Sequence, residues 1–314
     1  TGPVWVPILS DSARPPSPCV HGPRDLRLRG GMAAARLWPV LRWWMVEHPG
    51  VASFEWDEGG TWGASRGFAA AAVLAYLALT LLLHALLLPH TRRSPHLRLF
   101  LRLVSPLHNA LLLLLSLAMA AGCSLAAASQ MPAPSWLFCF PRGATPARGP
   151  VFFWAYVFYL SKFYELADTL LILLAADRRR RLSLLHVYHH AAVVGVCRLW
   201  LTAPQSLMPV ALVTNAAVHV VMYGYYLCSS VGWRWSPRWK RLVTDCQIVQ
   251  FCFSFAVSLV FLWLHFSGPG GEGCSGFWAW VLNAVFNASL LALFLDFHKA
   301  NYKSSKLKAD EKTQ

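Results

Sequence analysis

Seven stretches of apolar residues, each close to the length needed to cross hydrocarbon, constrain this chain more than any other feature. They run over about 67–89, 103–128, 150–176, 183–202, 207–231, 242–267 and 275–297. About 20 apolar residues span the bilayer core as a helix. Only helices and closed barrels satisfy their backbone polar groups there. Charged residues make up 13% of the 314 and hydrophobic ones 56%, where a soluble domain carries about 25% charged. Disordered, coiled-coil and nucleic-acid-binding classes need more charge than that. The expectation is an all-α membrane protein with seven transmembrane helices.

The formal net charge of +14, from 28 Lys and Arg against 14 Asp and Glu, would point to nucleic acid in a soluble protein. Here its placement matters more. The connections 90–102, 177–182 and 232–241 hold Arg92, Arg93, Arg98, Arg102, Arg178, Arg179, Arg180, Arg181, Arg234, Arg238, Lys240 and Arg241. The tail adds Lys299, Lys303, Lys306, Lys308 and Lys312. The alternate connections, 129–149, 203–206 and 268–274, hold only Arg142 and Arg148. Basic loops stay in the cytosol. The N-terminus is therefore expected in the lumen and the C-terminus in the cytosol. These bases set topology, and a second role in attracting an anionic cytosolic ligand stays open.

Four regions follow. Residues 1–31 are rich in Pro, Arg and Ser and read as a disordered leader, with Met32 the expected natural start. Residues 32–66 carry several Trp and read as a luminal amphipathic segment. Residues 67–298 hold the helices, and 299–314 form a basic cytosolic tail. Of eight cysteines, Cys19 falls in the leader and five in apolar spans. Only Cys139 and Cys274 fall in expected luminal connections. An oxidising lumen permits a disulfide there, although sequence alone does not bring them together.

Ionisable groups in a membrane are costly and usually functional. They concentrate in four clusters. Lys162, Glu165, Asp168 and Thr169 share a face of the third span through i,i+3 and i,i+4 spacing. A structural ion pair would suffice to explain them. His186, His189 and His190 open the fourth span, and such a trio can bind metal, relay protons or attack a carbonyl. Asn215, His219, Met222, Tyr223 and Tyr226 make a stripe on the fifth, and Thr244, Gln247 and Gln250 on the sixth. Either stripe alone could be interhelical hydrogen bonding; four on successive spans favour a shared polar interior. The first span and the middle of the second lack such a stripe and read as packing or lipid-facing elements.

The clusters spell KFYELADT (162–169), HVYHH (186–190), NAAVHVVMYGYY (215–226) and TDCQIVQ (244–250). In this form and order the chain resembles the elongation-of-very-long-chain-fatty-acids family, the membrane 3-oxoacyl-CoA synthases, over roughly 60–300. All four motifs match at every defined position. Tyr188 inside the histidine box leans toward the plant members, and the N-terminal extension is the one departure. The resemblance implies an endoplasmic reticulum protein whose seven helices include six in an inverted barrel around a narrow acyl tunnel. It implies decarboxylative condensation of a long-chain acyl-CoA with malonyl-CoA to a 3-oxoacyl-CoA two carbons longer, with no cofactor and no metal. It also implies a luminal disulfide, which would join Cys139 to Cys274. The reductases and dehydratase of the elongation cycle are candidate partners, and a homodimer is left open.

The expected roles follow from residue chemistry. A neutral imidazole is a competent acyl acceptor, and His189 is assigned as nucleophile with His186 and His190 orienting it or moving protons. His219 would activate the second step and Asn215 polarise the thioester carbonyl. Glu165 and Asp168 would set imidazole tautomers, and Lys162 would balance them or meet a CoA phosphate. Thr169, Met222, Tyr223, Tyr226, Thr244, Gln247 and Gln250 would line the substrate path. Cys246 sits beside Gln247 but is turned about 100° from the glutamine stripe. The alternatives are a histidine-box di-iron desaturase or hydroxylase, which needs more histidine boxes than this chain shows, and a transporter using the polar interior.

Overall fold

A computed structural model describes residues 37–87, 94–175, 182–267 and 273–300. The leader, Arg92, Arg93, Arg178–Arg181 and the tail lysines after Lys299 lie outside the described residues. Contacts divide the chain after Trp43. Before the division, Leu37 and Trp38 are helical and exposed; everything below concerns the unit from Trp44 onward.

Among the described residues of that unit stand seven long helices: α1 (Arg66–Leu87), α2 (Pro95–Gln130), α3 (Pro150–Leu174), α4 (Leu184–Thr202), α5 (Met208–Ser230), α6 (Pro237–Ser267) and α7 (Phe277–His298). Their starts carry standard signals. Ser94 and Ser183 cap α2 and α4 by accepting from Leu97 N and His186 N, both at 3.2 Å. Proline stands in the first turn of α2, α3 and α5. Two helices begin earlier than the apolar runs, α2 at Pro95 rather than 103 and α6 at Pro237 rather than 242. A 36-residue helix is about 54 Å long, well beyond the hydrocarbon. The charged turns with Arg98, Arg102, Lys240 and Arg241 end the apolar run without ending the helix.

Five of these helices, α1, α2, α5, α6 and α7, are long and apolar enough to cross a membrane. α3 and α4 are long enough, at 25 and 19 residues, but they carry the charged cluster and the histidines, which lower their mean hydropathy. The polar residues are turned inward, so Lys162, Glu165 and Thr169 are buried. Large apolar side chains such as Leu74, Leu81, Leu259 and Trp278 face outward. This reverses the order of a soluble protein and suits lipid as solvent.

Neighbour relations place the clusters. α2 packs on α3 and α5, α5 on α6, α6 on α7, α7 on α4, and α4 on α3, so the order of six helices closes on itself. α1 lies against α3 and α4. Gly122 of α2 meets Trp154 of α3 so closely that an added Cβ would run into the indole. Overpacking typically costs about 1–3 kcal/mol, so Gly122→Ala is expected to lower the unfolding temperature in detergent by several degrees.

At one end the connections knit together. Phe140 N donates to Ser206 Oγ (2.9 Å) and Ser275 N to Phe140 O (2.8 Å). Cys139 and Cys274 form a disulfide with their Cα atoms 5.1 Å apart. Gly276, at φ 73°, packs against Pro204 and Gln205 where a Cβ would not fit. The segment after Trp44 is held to the helices by specific bonds. Trp154 Nε1 donates to Met45 O and Tyr159 OH to Gly63 O, both at 2.8 Å. Arg198 Nε donates to Ala64 O (2.8 Å), with its guanidinium 2.9 Å from Glu58. The disulfide bridges residues 135 apart in sequence. Loss of a native bridge typically costs about 2–5 kcal/mol. The pair Cys139→Ser with Cys274→Ser is expected to melt well below wild type, and reductant to lower the wild-type transition only.

Candidate active site

The polar clusters meet inside the bundle. On α3, Lys162 Nζ donates to Glu165 Oε1 at 2.7 Å, with both side chains about fully buried at 1% and 2% exposure. The ammonium also lies 4.0 Å from the centre of the Phe158 ring, and Ser161 Oγ donates to the same carboxylate oxygen at 3.2 Å. Glu165 Oε2 has no hydrogen-bond partner and lies 3.7 Å from His219 Nε2 on α5. His219 Nδ1 is 2.8 Å from the Asn215 carbonyl. A carbonyl only accepts, so Nδ1 carries the proton and Nε2 is the nitrogen turned toward Glu165.

The histidine box of α4 adjoins this pair. The His186 and His190 rings are 4.3 Å apart and those of His189 and His190 5.5 Å. His189 stacks on Phe286 of α7 at 6.3 Å. The ionisable groups close enough to act on His189 include Lys162, Glu165, His186 and His219. The Nδ1 atoms of His189 and His190 are buried without a hydrogen-bond partner. Such orphaned nitrogens are uncommon and mark a place where another group can be accepted.

Two arrangements reach beyond the motif residues. Asp168 is gripped from both sides: His108 Nε2 lies 2.8 Å from Oδ1, and Tyr223 OH donates to Oδ2 at 2.8 Å. Asp168 was expected to serve a motif histidine; it binds His108 of α2 instead, and its carboxylate ties α2, α3 and α5 together. Thr169 Oγ1 is 2.9 Å from His186 Nε2 and 3.0 Å from Tyr76 OH. Thus α1, expected as a packing or lipid-facing element, supplies a hydroxyl that reaches His186 through Thr169. His108 and Tyr76 stand singly in apolar sequence, so periodicity offered no sign of them; a polar ring in a long apolar run was the only available hint. Tyr76→Phe is expected to lower turnover several-fold with little change in thermal stability, since it removes one hydrogen bond but no packing volume.

The remaining residues extend the interior toward α6. Asn215 Nδ2 donates to Gln250 Oε1 at 3.4 Å, and Gln247 Nε2 approaches Met222 Sδ at 3.5 Å. Thr244 is buried but donates to Lys240 O within its own helix at 3.3 Å. Tyr226 is 39% exposed and touches the Tyr223 ring. Among the described residues, no three His, Cys, Asp or Glu side chains are disposed to hold a metal ion.

Fold and site together define a polytopic helical membrane protein with imidazoles, a buried ion pair and amides gathered in its interior. The model of the GNS1/SUR4 family (ELO) matches residues 62–310, and the chain belongs to that family. It is 32% identical over 272 residues to "Fatty acid elongase 3-like" of Arabidopsis thaliana, covering 82% of this chain and 90% of that protein. It is 31% identical over 260 residues to "Fatty acid elongase sre1" of Dictyostelium discoideum, covering 81% and 91%. It is 35% identical over 154 residues to "Very long chain fatty acid elongase 6" of Homo sapiens, covering 48% and 55%.

Proposed function

We propose that this protein is the condensing enzyme of fatty acid elongation in the endoplasmic reticulum membrane, a 3-oxoacyl-CoA synthase. The observation that carries the reading is the meeting of the α4 histidine box with His219 and the buried Lys162–Glu165 pair in one interior. Six helices with closing neighbour relations form the wall of an inverted barrel, and the acyl chain occupies its tunnel. The knitted, disulfide-bearing end faces the lumen, and the arginine-rich side faces the cytosol, where the CoA substrates are.

A His189 nitrogen attacks the acyl-CoA thioester carbonyl; the carbon–sulfur bond breaks, and the CoA thiolate leaves and takes up a proton. The acyl group stays on the imidazole. Malonyl-CoA then loses CO2, and its α-carbon attacks the acyl carbonyl, forming the carbon–carbon bond and breaking the carbon–nitrogen bond. The His189 nitrogen takes up a proton from water as it leaves, and a 3-oxoacyl-CoA is released. Asn215 polarises the thioester carbonyl, and His219 activates the second step. Lys162 acts as partner to Glu165 rather than to a CoA phosphate, because it is buried and already paired. No metal or organic cofactor enters any step.

The test is incorporation of labelled malonyl-CoA by microsomes carrying the protein, offered acyl-CoAs of graded length. Label in 3-oxo products with one range of lengths preferred is the expected result. No label at any length would overturn the reading.

A further inference from the structure

Tyr188 sits inside the histidine box, directly before His189, and reaches across to α7. Its hydroxyl lies 2.7 Å from Ser289 Oγ. Ser289 in turn donates to Phe286 O, one turn earlier on α7, at 2.7 Å. A serine hydroxyl carries a single proton, so Tyr188 is the donor and Ser289 the acceptor in the bond between the two helices. The Tyr188 ring also touches the Phe286 ring, with centres 6.1 Å apart.

Phe286 is the ring on which His189 stacks, at 6.3 Å and 25° between planes. It is buried. Adjacent helical residues point about 100° apart, so a side chain that meets both Tyr188 and His189 lies in the angle between them. A histidine whose orientation matters is commonly held by a hydrogen bond at one ring nitrogen, but Nδ1 of His189 is buried without a partner. The ring of His190, edge-on to His189 at 88°, belongs to the same helix. The face of Phe286 is what relates the His189 plane to α7.

We propose that Phe286 and the Tyr188–Ser289 hydrogen bond are the positioning device of the nucleophile. The bond fixes α4 against α7, and the phenyl face then sets the plane in which His189 presents its nitrogen to the thioester carbonyl. This rests on the condensing-enzyme reading above, with His189 as the acylated residue. A reacting group displaced by about 1 Å can lose about 100-fold in rate, so contacts that never touch substrate govern acylation here.

The test times the acyl adduct formed from acyl-CoA alone, by mass spectrometry on the detergent-solubilised protein, beside steady-state incorporation of labelled malonyl-CoA. Tyr188→Phe and Ser289→Ala are each expected to slow adduct formation by about 10-fold, with the KM for malonyl-CoA and the unfolding temperature little changed. The double variant is expected to be no slower than the slower single, because both changes remove one bond. Ser289→Thr is expected to recover most of the rate lost in Ser289→Ala. Phe286→Leu is expected to lose more, about 100-fold. A wild-type adduct rate in Phe286→Leu or in the double variant would overturn the inference. So would penalties that multiply in the double variant, or a malonyl-CoA KM and an unfolding temperature that move in step with the rate, since a merely structural bond predicts those. Label incorporated by wild type with no adduct would overturn it while leaving the condensing reading intact. No label at all would remove both.

Discussion

His189→Ala is expected to lose at least about 1,000-fold in incorporation of labelled malonyl-CoA and to lose the acyl adduct entirely. Removing the group that bears a covalent intermediate removes the pathway, not a fraction of it. Two readouts separate this from misfolding. The detergent-solubilised variant is expected to melt within a few degrees of wild type, because His189 is only part-buried and its Nδ1 has no partner to lose. Incubation with acyl-CoA alone followed by mass spectrometry is expected to show an acyl group on the wild-type chain and none on the variant. Cys246→Ala is the complementary experiment. A thiol is the nucleophile of soluble condensing enzymes, yet Cys246 is turned about 100° around α6 from the glutamine stripe rather than lying on it, and its loss is expected to leave both readouts unchanged. If Cys246→Ala abolished the adduct while His189→Ala kept it, the assignment of the nucleophile would be reversed.

The parts of this molecule legible in its sequence share a physical cause. Apolar runs announce helices because hydrocarbon leaves the backbone no other solution, and the seven runs coincide with α1–α7 to within a few residues except where charged turns extend α2 and α6. Motif residues announced themselves by clustering, since several polar groups on one face of one helix are improbable in lipid without a use. Partnership across helices was not legible. Asp168 joins His108 across 60 residues and Thr169 meets Tyr76 across 93, and no local pattern encodes either pairing. Cys139 and Cys274, expected to pair by compartment and family likeness, form the disulfide. The segment from Trp44 to Ser65 reads as amphipathic because its tryptophans are conspicuous. Its hydrogen bonds to Trp154, Tyr159 and Arg198 depend on side chains more than 90 residues away.

The buried pair on α3 is where stability and chemistry can be separated. Lys162→Met leaves a carboxylate in the interior with Ser161 and His219 as its neighbours, and Glu165→Leu leaves an ammonium with only the Phe158 face. Breaking a buried pair from one side typically costs about 3–5 kcal/mol, whereas replacing both members by apolar residues is often neutral. Each single variant is therefore expected to melt far below wild type, and Lys162→Met with Glu165→Leu to recover most of the loss. Activity is expected to follow a different course. The double variant restores the helix but removes the carboxylate that faces His219 Nε2 at 3.7 Å, so incorporation of labelled malonyl-CoA should stay at least about 100-fold below wild type, the scale of a lost general acid–base or electrostatic partner. Thermal unfolding in detergent and the microsomal assay, run on all three variants, decide between two uses of the pair. Recovery of activity together with stability would show that the pair only holds α3 in place; penalties that simply add in the double variant would show that the two charges are not coupled at all.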